Sequence, residues 1–94
     1  MNKYESVIIV NPNVDEAGLK ALEEKFTGLI NENGKVESVE NMGKKRLAYE
    51  IQKMREGYYY FIQFEADAAC PAEVERHVRI MDNVLRYLVV RKDA

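Results

Sequence analysis

Cysteine occurs once, at Cys70, so no disulfide can form within the chain and the cross-linked scaffold of a small secreted domain is excluded. A reducing, cytoplasmic setting is the expectation. Histidine also occurs once, at His77, which rules out metal sites that need two imidazoles and leaves a serine or cysteine nucleophile one base at most. No apolar run approaches the roughly 20 residues that cross a bilayer. The opening Met1-Asn2-Lys3-Tyr4-Glu5 has no basic stretch leading into an apolar one, so neither export nor membrane insertion is expected. The five glycines, Gly18, Gly28, Gly34, Gly43 and Gly57, are too scattered for a dinucleotide-binding or Walker loop. An excess of positive charge is missing too: 14 Lys and Arg against 16 Asp and Glu give a formal net charge of -2, unlike a dedicated nucleic-acid binder. Phosphate contact then depends on local clusters, because screening confines a charge to about 8 Å at physiological salt.

What is present is an ordinary globular balance, 47% hydrophobic and 32% charged over 94 residues. That is enough for one core, and residues 1–94 are expected to form one domain. Tyr4 to Val10 is β-branched and ends at the turn residues Asn11-Pro12-Asn13, which predicts a first strand. From Asp15 to Asn33 the apolar Leu19, Leu22, Phe26, Leu29 and Ile30 recur at helical steps. Asp15 is the expected N-cap and Gly34 a left-handed stop. Lys35 to Ile51 reads as a long strand bent by a bulge near Gly43. Arg55-Glu56-Gly57 is the expected hairpin turn before an aromatic strand from Tyr58 to Glu65. Pro71 suits the first turn of a second helix reaching about Met81, with Val74, Val78 and Met81 inward and Asp82-Asn83 ending it. Val84 to Val90 is the last strand.

This order predicts an α+β fold, the ferredoxin-like β-α-β-β-α-β sandwich, with two helices on one face of a four-stranded antiparallel sheet in the order four-one-three-two. By strand parity the other face carries Val7, Ile9, Tyr59, Phe61, Arg86, Leu88 and Val90. An apolar face of that kind calls for a cover or a partner. Lys44-Lys45-Arg46 falls at the bend of the second strand, Lys53 and Arg55 further along toward the following hairpin, and Arg86, Arg91 and Lys92 on the last strand. Adjacent first and last strands would let Lys3 and Arg86 share a patch.

Catalytic readings find little support. A lone His77 near a buried stripe reads as structural or solvated, and Cys70 before Pro71 as a small buried residue or passive cap. Glu23 and Glu24 are neighbours on an exposed helix face, where solvation is their expected role. Acylphosphatase, which shares the fold, holds phosphate with an arginine after the first strand, where this chain has Asn11-Pro12-Asn13. RNA-recognition motifs also share it and stack bases on sheet aromatics. Their third-strand pattern fits neither register here: aligned on Gly57 it puts Glu56 at a basic position and Tyr59 at a small one. Tyr59 and Phe61, with Leu88, are therefore read as sheet packing or a protein-partner face. Single-stranded RNA binding is kept as the alternative.

The stretch Gly43-Lys44-Lys45-Arg46-Leu47-Ala48-Tyr49-Glu50-Ile51-Gln52-Lys53 resembles the signature of the bacterial small-ribosomal-subunit protein six family. Tyr4-Glu5, Asn11-Pro12-Asn13, Gly57-Tyr58 and Asp82-Asn83-Val84 before Leu88-Val89-Val90 resemble it too, so the likeness covers nearly the whole chain. It implies a structural, non-enzymatic protein without cofactor, metal or small-molecule substrate. It also implies binding to the central domain of 16S ribosomal RNA and a heterodimer with small-subunit protein eighteen, which would supply much of the positive charge. Carried onto this sequence, it implies RNA contact at Lys3, Lys44, Lys45, Arg46, Lys53, Arg79, Arg86 and Arg91. Of these Lys44, Lys45 and Arg46 rest on the motif, and the others on charge and inferred geometry. For Tyr49 the resemblance allows either a core anchor, the favoured reading, or an RNA contact. Asn2 stands where relatives often have a basic residue. The longer charged tail of some relatives has no counterpart before Ala94.

Overall fold

Side-chain alternation along Asn2–Val10 decides where the other elements sit. In the computed structural model, which describes residues 2–81 and 83–92, this segment is strand β1, and its Tyr4, Ser6, Ile8 and Val10 are buried. Helix α1 (Glu16–Asn33), strands β2 (Gly34–Ile51) and β3 (Met54–Ala66), helix α2 (Cys70–Val78) and strand β4 (Val84–Arg91) follow. The sheet is antiparallel with the order β2-β3-β1-β4, and both helices cover one face of it. This is the expected ferredoxin-like sandwich.

The core forms where the helical stripes meet that covered face. Leu19, Phe26 and Ile30 of α1 and Val74 and Val78 of α2 pack on Ile8, Val10, Tyr60, Ile62 and Phe64, with Leu22 and Leu29 half-buried at the rim. Each such side chain contributes about 1.5–3 kcal/mol on leaving water. Asp15 caps α1 as expected, its Oδ1 accepting from the Gly18 N–H at 2.8 Å.

Three local expectations are corrected. Gly34 does not stop α1 in the left-handed region: its φ of -167° is extended, and α1 runs directly into β2. Glycine is needed there for space, since a Cβ would lie 2.5 Å from the Glu65 carbonyl oxygen on β3. The hairpin turns at Gln52 and Lys53, with φ of 50° and 66°, while Arg55, Glu56 and Gly57 lie inside β3. Two left-handed residues between the paired Ile51 and Met54 match the right-handed strand twist, although neither side chain favours that region. Helix α2 ends at Val78, where the Arg79 N–H still donates to the Glu75 carbonyl, and Met81 lies in the following turn. The expected terminator Asp82 lies outside the described residues. The bulge at Gly43 is found, with φ of 79° and a register shift between Asn41 and Gly43.

The Tyr87 hydroxyl is buried and meets no hydrogen-bond partner among the described residues. Burial, and then Cys70 and Glu75, push its pKa far above the ordinary tyrosine value. The unfolded chain therefore releases this proton at lower pH than the folded one, so stability falls as pH rises past about 10. Tyr87→Phe removes the orphan hydroxyl. We expect it to raise unfolding free energy by about 1 kcal/mol at neutral pH and to flatten the alkaline decline, both read by urea denaturation.

Candidate nucleic-acid and partner interface

The uncovered sheet face is built as the parity of the strands requires. Val7 lies opposite Phe61 and Leu88, and Ile9 opposite Tyr59 and Arg86, which gives an apolar strip across β3, β1 and β4. Toward the other end the face turns polar, with Glu5 opposite Gln63 and Lys3 opposite Glu65.

The far part of β2 changes this face. Between the pairs Arg46 with Glu56 and Ile51 with Met54, β2 holds four residues, Leu47 to Glu50, against the single Arg55 of β3. Such an excess lifts a strand off its ladder and bends it. The lifted segment arches over the sheet, and Leu47, Ala48, Tyr49 and Ile51 line an open concavity of about 400 Å³ with Val7, Ile9, Tyr59, Arg86 and Leu88. Leu47 is buried and anchors the arch. Gly57 makes room beneath it: a Cβ there would stand 2.6 Å from Ile9 Cγ2, 3.1 Å from the Val10 carbonyl oxygen and 3.8 Å from Leu47 Cδ2. Tyr49, expected in the core, is 58% exposed because it stands on the outer part of this arch. The Arg86 guanidinium lies 5.8 Å from its ring centroid.

Lys44, Lys45 and Arg46 are exposed on the approach to the arch, with the Lys44 ammonium 5.4 Å from the Tyr58 ring centroid. Lys53 is exposed at the hairpin tip. Among the described residues these four and Arg86 have no carboxylate partner, so their charge is available to a ligand. Arg79 is exposed at the end of α2 and bonded to Glu75 at 2.8 Å. It also lines a polar cavity of about 260 Å³ with Arg86 and Gln52. Lys3 and Arg86 do not form the expected patch: Arg86 pairs with Ile9, six residues from Lys3 and so roughly 20 Å along β1. Lys3 instead lies by Arg91, which donates to Asn2 Oδ1 at 2.9 Å, and its carbonyl accepts from the Lys92 N–H at 2.8 Å. The basic residues thus divide into a larger group around the hairpin and a smaller one at the opposite end of the sheet. Arg55 belongs to the first group, near the hairpin as expected, although the turn itself lies three residues earlier, at Gln52 and Lys53.

Among the described residues no catalytic arrangement accompanies these surfaces. Burial, then Asp67, raises the Cys70 thiol pKa, the opposite of activation for a nucleophile. His77 Nε2 lies 3.6 Å from Glu73 Oε1, and the bonded Arg76 and then His77 hold the Glu73 carboxyl below its usual range. Glu73 is thus tied into a surface ion-pair cluster. Among the described residues no group of metal-ligating side chains assembles, and no helix is long and apolar enough to cross a membrane.

A helix-backed sheet with an open apolar face and an unpaired basic arm defines a binding module of the ferredoxin-like class. The sequence pattern of the family described as Ribosomal protein S6 matches residues 3–91. The chain is 48% identical to small ribosomal subunit protein bS6 of Clostridium kluyveri across 99% of each chain. It is 47% identical to the same protein of Clostridium botulinum, across 99% of this chain and 100% of that one. The crystal structure of 30S ribosomal protein S6 from Thermotoga maritima superimposes with a TM-score of 0.92 at 36% identity, covering 97% of this chain and 87% of that one. The chain belongs to the ribosomal protein S6 family. It is a structural, non-enzymatic protein of the small subunit, associated with ribosomal RNA in the cytoplasmic ribosome.

Proposed function

We propose that the chain binds the central domain of 16S ribosomal RNA jointly with small-subunit protein eighteen as the subunit assembles, with residues 1–94 acting as one domain. The observation that carries this reading is the division of the surface. Basic side chains without carboxylate partners among the described residues gather around the hairpin, while the apolar concavity occupies the sheet face beside it. Phosphates suit the first surface and a protein side chain the second. Lys44, Lys45, Arg46, Lys53 and Arg86 take the main RNA contacts, with Arg79 beside them and Lys3 and Arg91 as a second foothold. Protein eighteen covers Tyr59, Phe61 and Leu88. A formal net charge of -2 fits this division of labour, since long-range attraction to RNA would come mostly from the partner. The arch over Tyr59 weighs against base stacking on the sheet itself in the manner of RNA-recognition motifs.

A gel-shift titration with a central-domain RNA fragment at fixed salt, with and without protein eighteen, tests this reading. Tight binding is expected only when both proteins are present. Equally weak binding in the two arms would overturn it.

A further inference from the structure

On the arch an aromatic ring without a role so far, that of Tyr49, stands beside cations of the basic surface. Tyr49 is one of few large apolar side chains left exposed, and it lies inside the Gly43 to Lys53 stretch without contributing to the core. Its ring borders two concavities. One is the apolar hollow under the arch, where Arg86 approaches the ring at 5.8 Å from β4. The other, of about 230 Å³, is polar and lined by Arg46, Ala48, Glu50 and Arg55 together with Tyr49. Glu50 and Arg55 lie 3.8 Å apart and largely offset each other. Arg46 and Arg86, by contrast, have no carboxylate partner among the described residues.

We propose that Tyr49 is a stacking platform for one unpaired base of the bound RNA, with Arg86 and Arg46 receiving the phosphates on either side of that nucleotide. The inference rests on the RNA-binding reading above and deepens it. A ring with one cation 5.8 Å from its centroid and a second lining the neighbouring concavity suits a nucleic-acid strand, in which each base is flanked by two phosphates. The ring face offers stacking area to any base, and the arginines supply the charge complementarity that an apolar protein segment would not need. Presentation on a bulge suits an extruded nucleotide, because stacked bases within an RNA helix are out of a side chain's reach. Lys44, Lys45 and Arg46 continue the basic surface along β2, so the strand leaving the platform stays against positive charge.

The test uses the full chain with protein eighteen and the central-domain RNA fragment, comparing Tyr49→Leu, Tyr49→Phe and Arg86→Ala. Tyr49→Leu is expected to weaken RNA binding about tenfold with the salt dependence unchanged, while Tyr49→Phe stays within about twofold. Arg86→Ala should weaken binding and lower the salt slope by about one unit. A 2-aminopurine at the stacked position should lose its quenching in Tyr49→Leu and keep it in Tyr49→Phe. Normal RNA affinity for Tyr49→Leu, with binding still weakened by Lys45→Ala, would overturn the platform and leave the RNA reading intact. Loss of binding to protein eighteen in the absence of RNA would overturn it in favour of a protein contact. Failure of the unaltered pair to bind RNA would remove both readings together.

Discussion

Replacing Lys44, Lys45 and Arg46 together by alanine is expected to lower affinity for the central-domain RNA about a hundredfold near physiological salt. All three are exposed, and none is held by a carboxylate among the described residues, so little of their charge is spent within the protein. Each phosphate neutralised by such a side chain releases condensed counterions and adds roughly 0.7–0.9 to the slope of log affinity against log salt. Three lost contacts should therefore flatten the slope by roughly 2–3 units. The same reasoning extrapolates the mutant and unaltered proteins to similar affinity near 1 M salt, where counterion release contributes nothing. Binding measured across a salt series, with protein eighteen present throughout, separates this from loss of shape complementarity. An altered affinity with an unchanged slope would mean that the three residues do not meet phosphate. Folding should be unaffected, since these side chains lie outside the core and Lys44 makes only an exposed contact with Tyr58.

Period and parity make the fold legible in the sequence. Alternation in Asn2–Val10 and in Tyr58 to Glu65 placed Ile8, Tyr60, Ile62 and Phe64 inward, and the spacing of Leu19, Phe26 and Ile30 placed α1 over them. The misses share a cause: each depended on space or strain created by a distant segment. Gly34 reads as a helix stop and Gly57 as a turn residue because glycine usually supplies backbone freedom, yet both are required by a strand passing too close for a Cβ. The true turn, Gln52-Lys53, carries no local signal, since its left-handed geometry is imposed by the pairing of Ile51 with Met54. Tyr49 was expected inside because its neighbours follow a strand pattern. The three-residue excess in β2 turns that stretch into an arch and leaves the ring exposed. The basic residues were identifiable by type, but their grouping was not. Lys3 and Arg86 occupy adjacent strands, and only the register shows that they sit at opposite ends. Arg79 and Arg86, which share a cavity with Gln52, are united by the way α2 ends against β4.

Because the arch depends on Gly57, Gly57→Val should damage stability and binding together. Its Cβ alone would enter within 2.6 Å of Ile9 Cγ2 and 3.1 Å of the Val10 carbonyl oxygen, and the Val10 backbone is fixed by pairing to both β3 and β4. The γ-methyls then have only the space held by Ile9 and Leu47, so either the β1–β3 ladder separates or Leu47 leaves its buried position. Overpacking of this kind costs about 3 kcal/mol, which for a domain of this length corresponds to a fall in Tm of roughly 10–20 °C. Displacing Leu47 also moves the segment that carries Arg46 and Tyr49, so affinity for RNA should fall even well below the midpoint of melting. Leu47→Ala separates the two effects. It removes the anchor of the arch without forcing β1 from β3, and should cost about 2–3 kcal/mol while reproducing the loss of RNA affinity. If Leu47→Ala binds RNA like the unaltered protein, the arch does not position the basic surface. The role of Gly57 is then confined to the close approach of the strands.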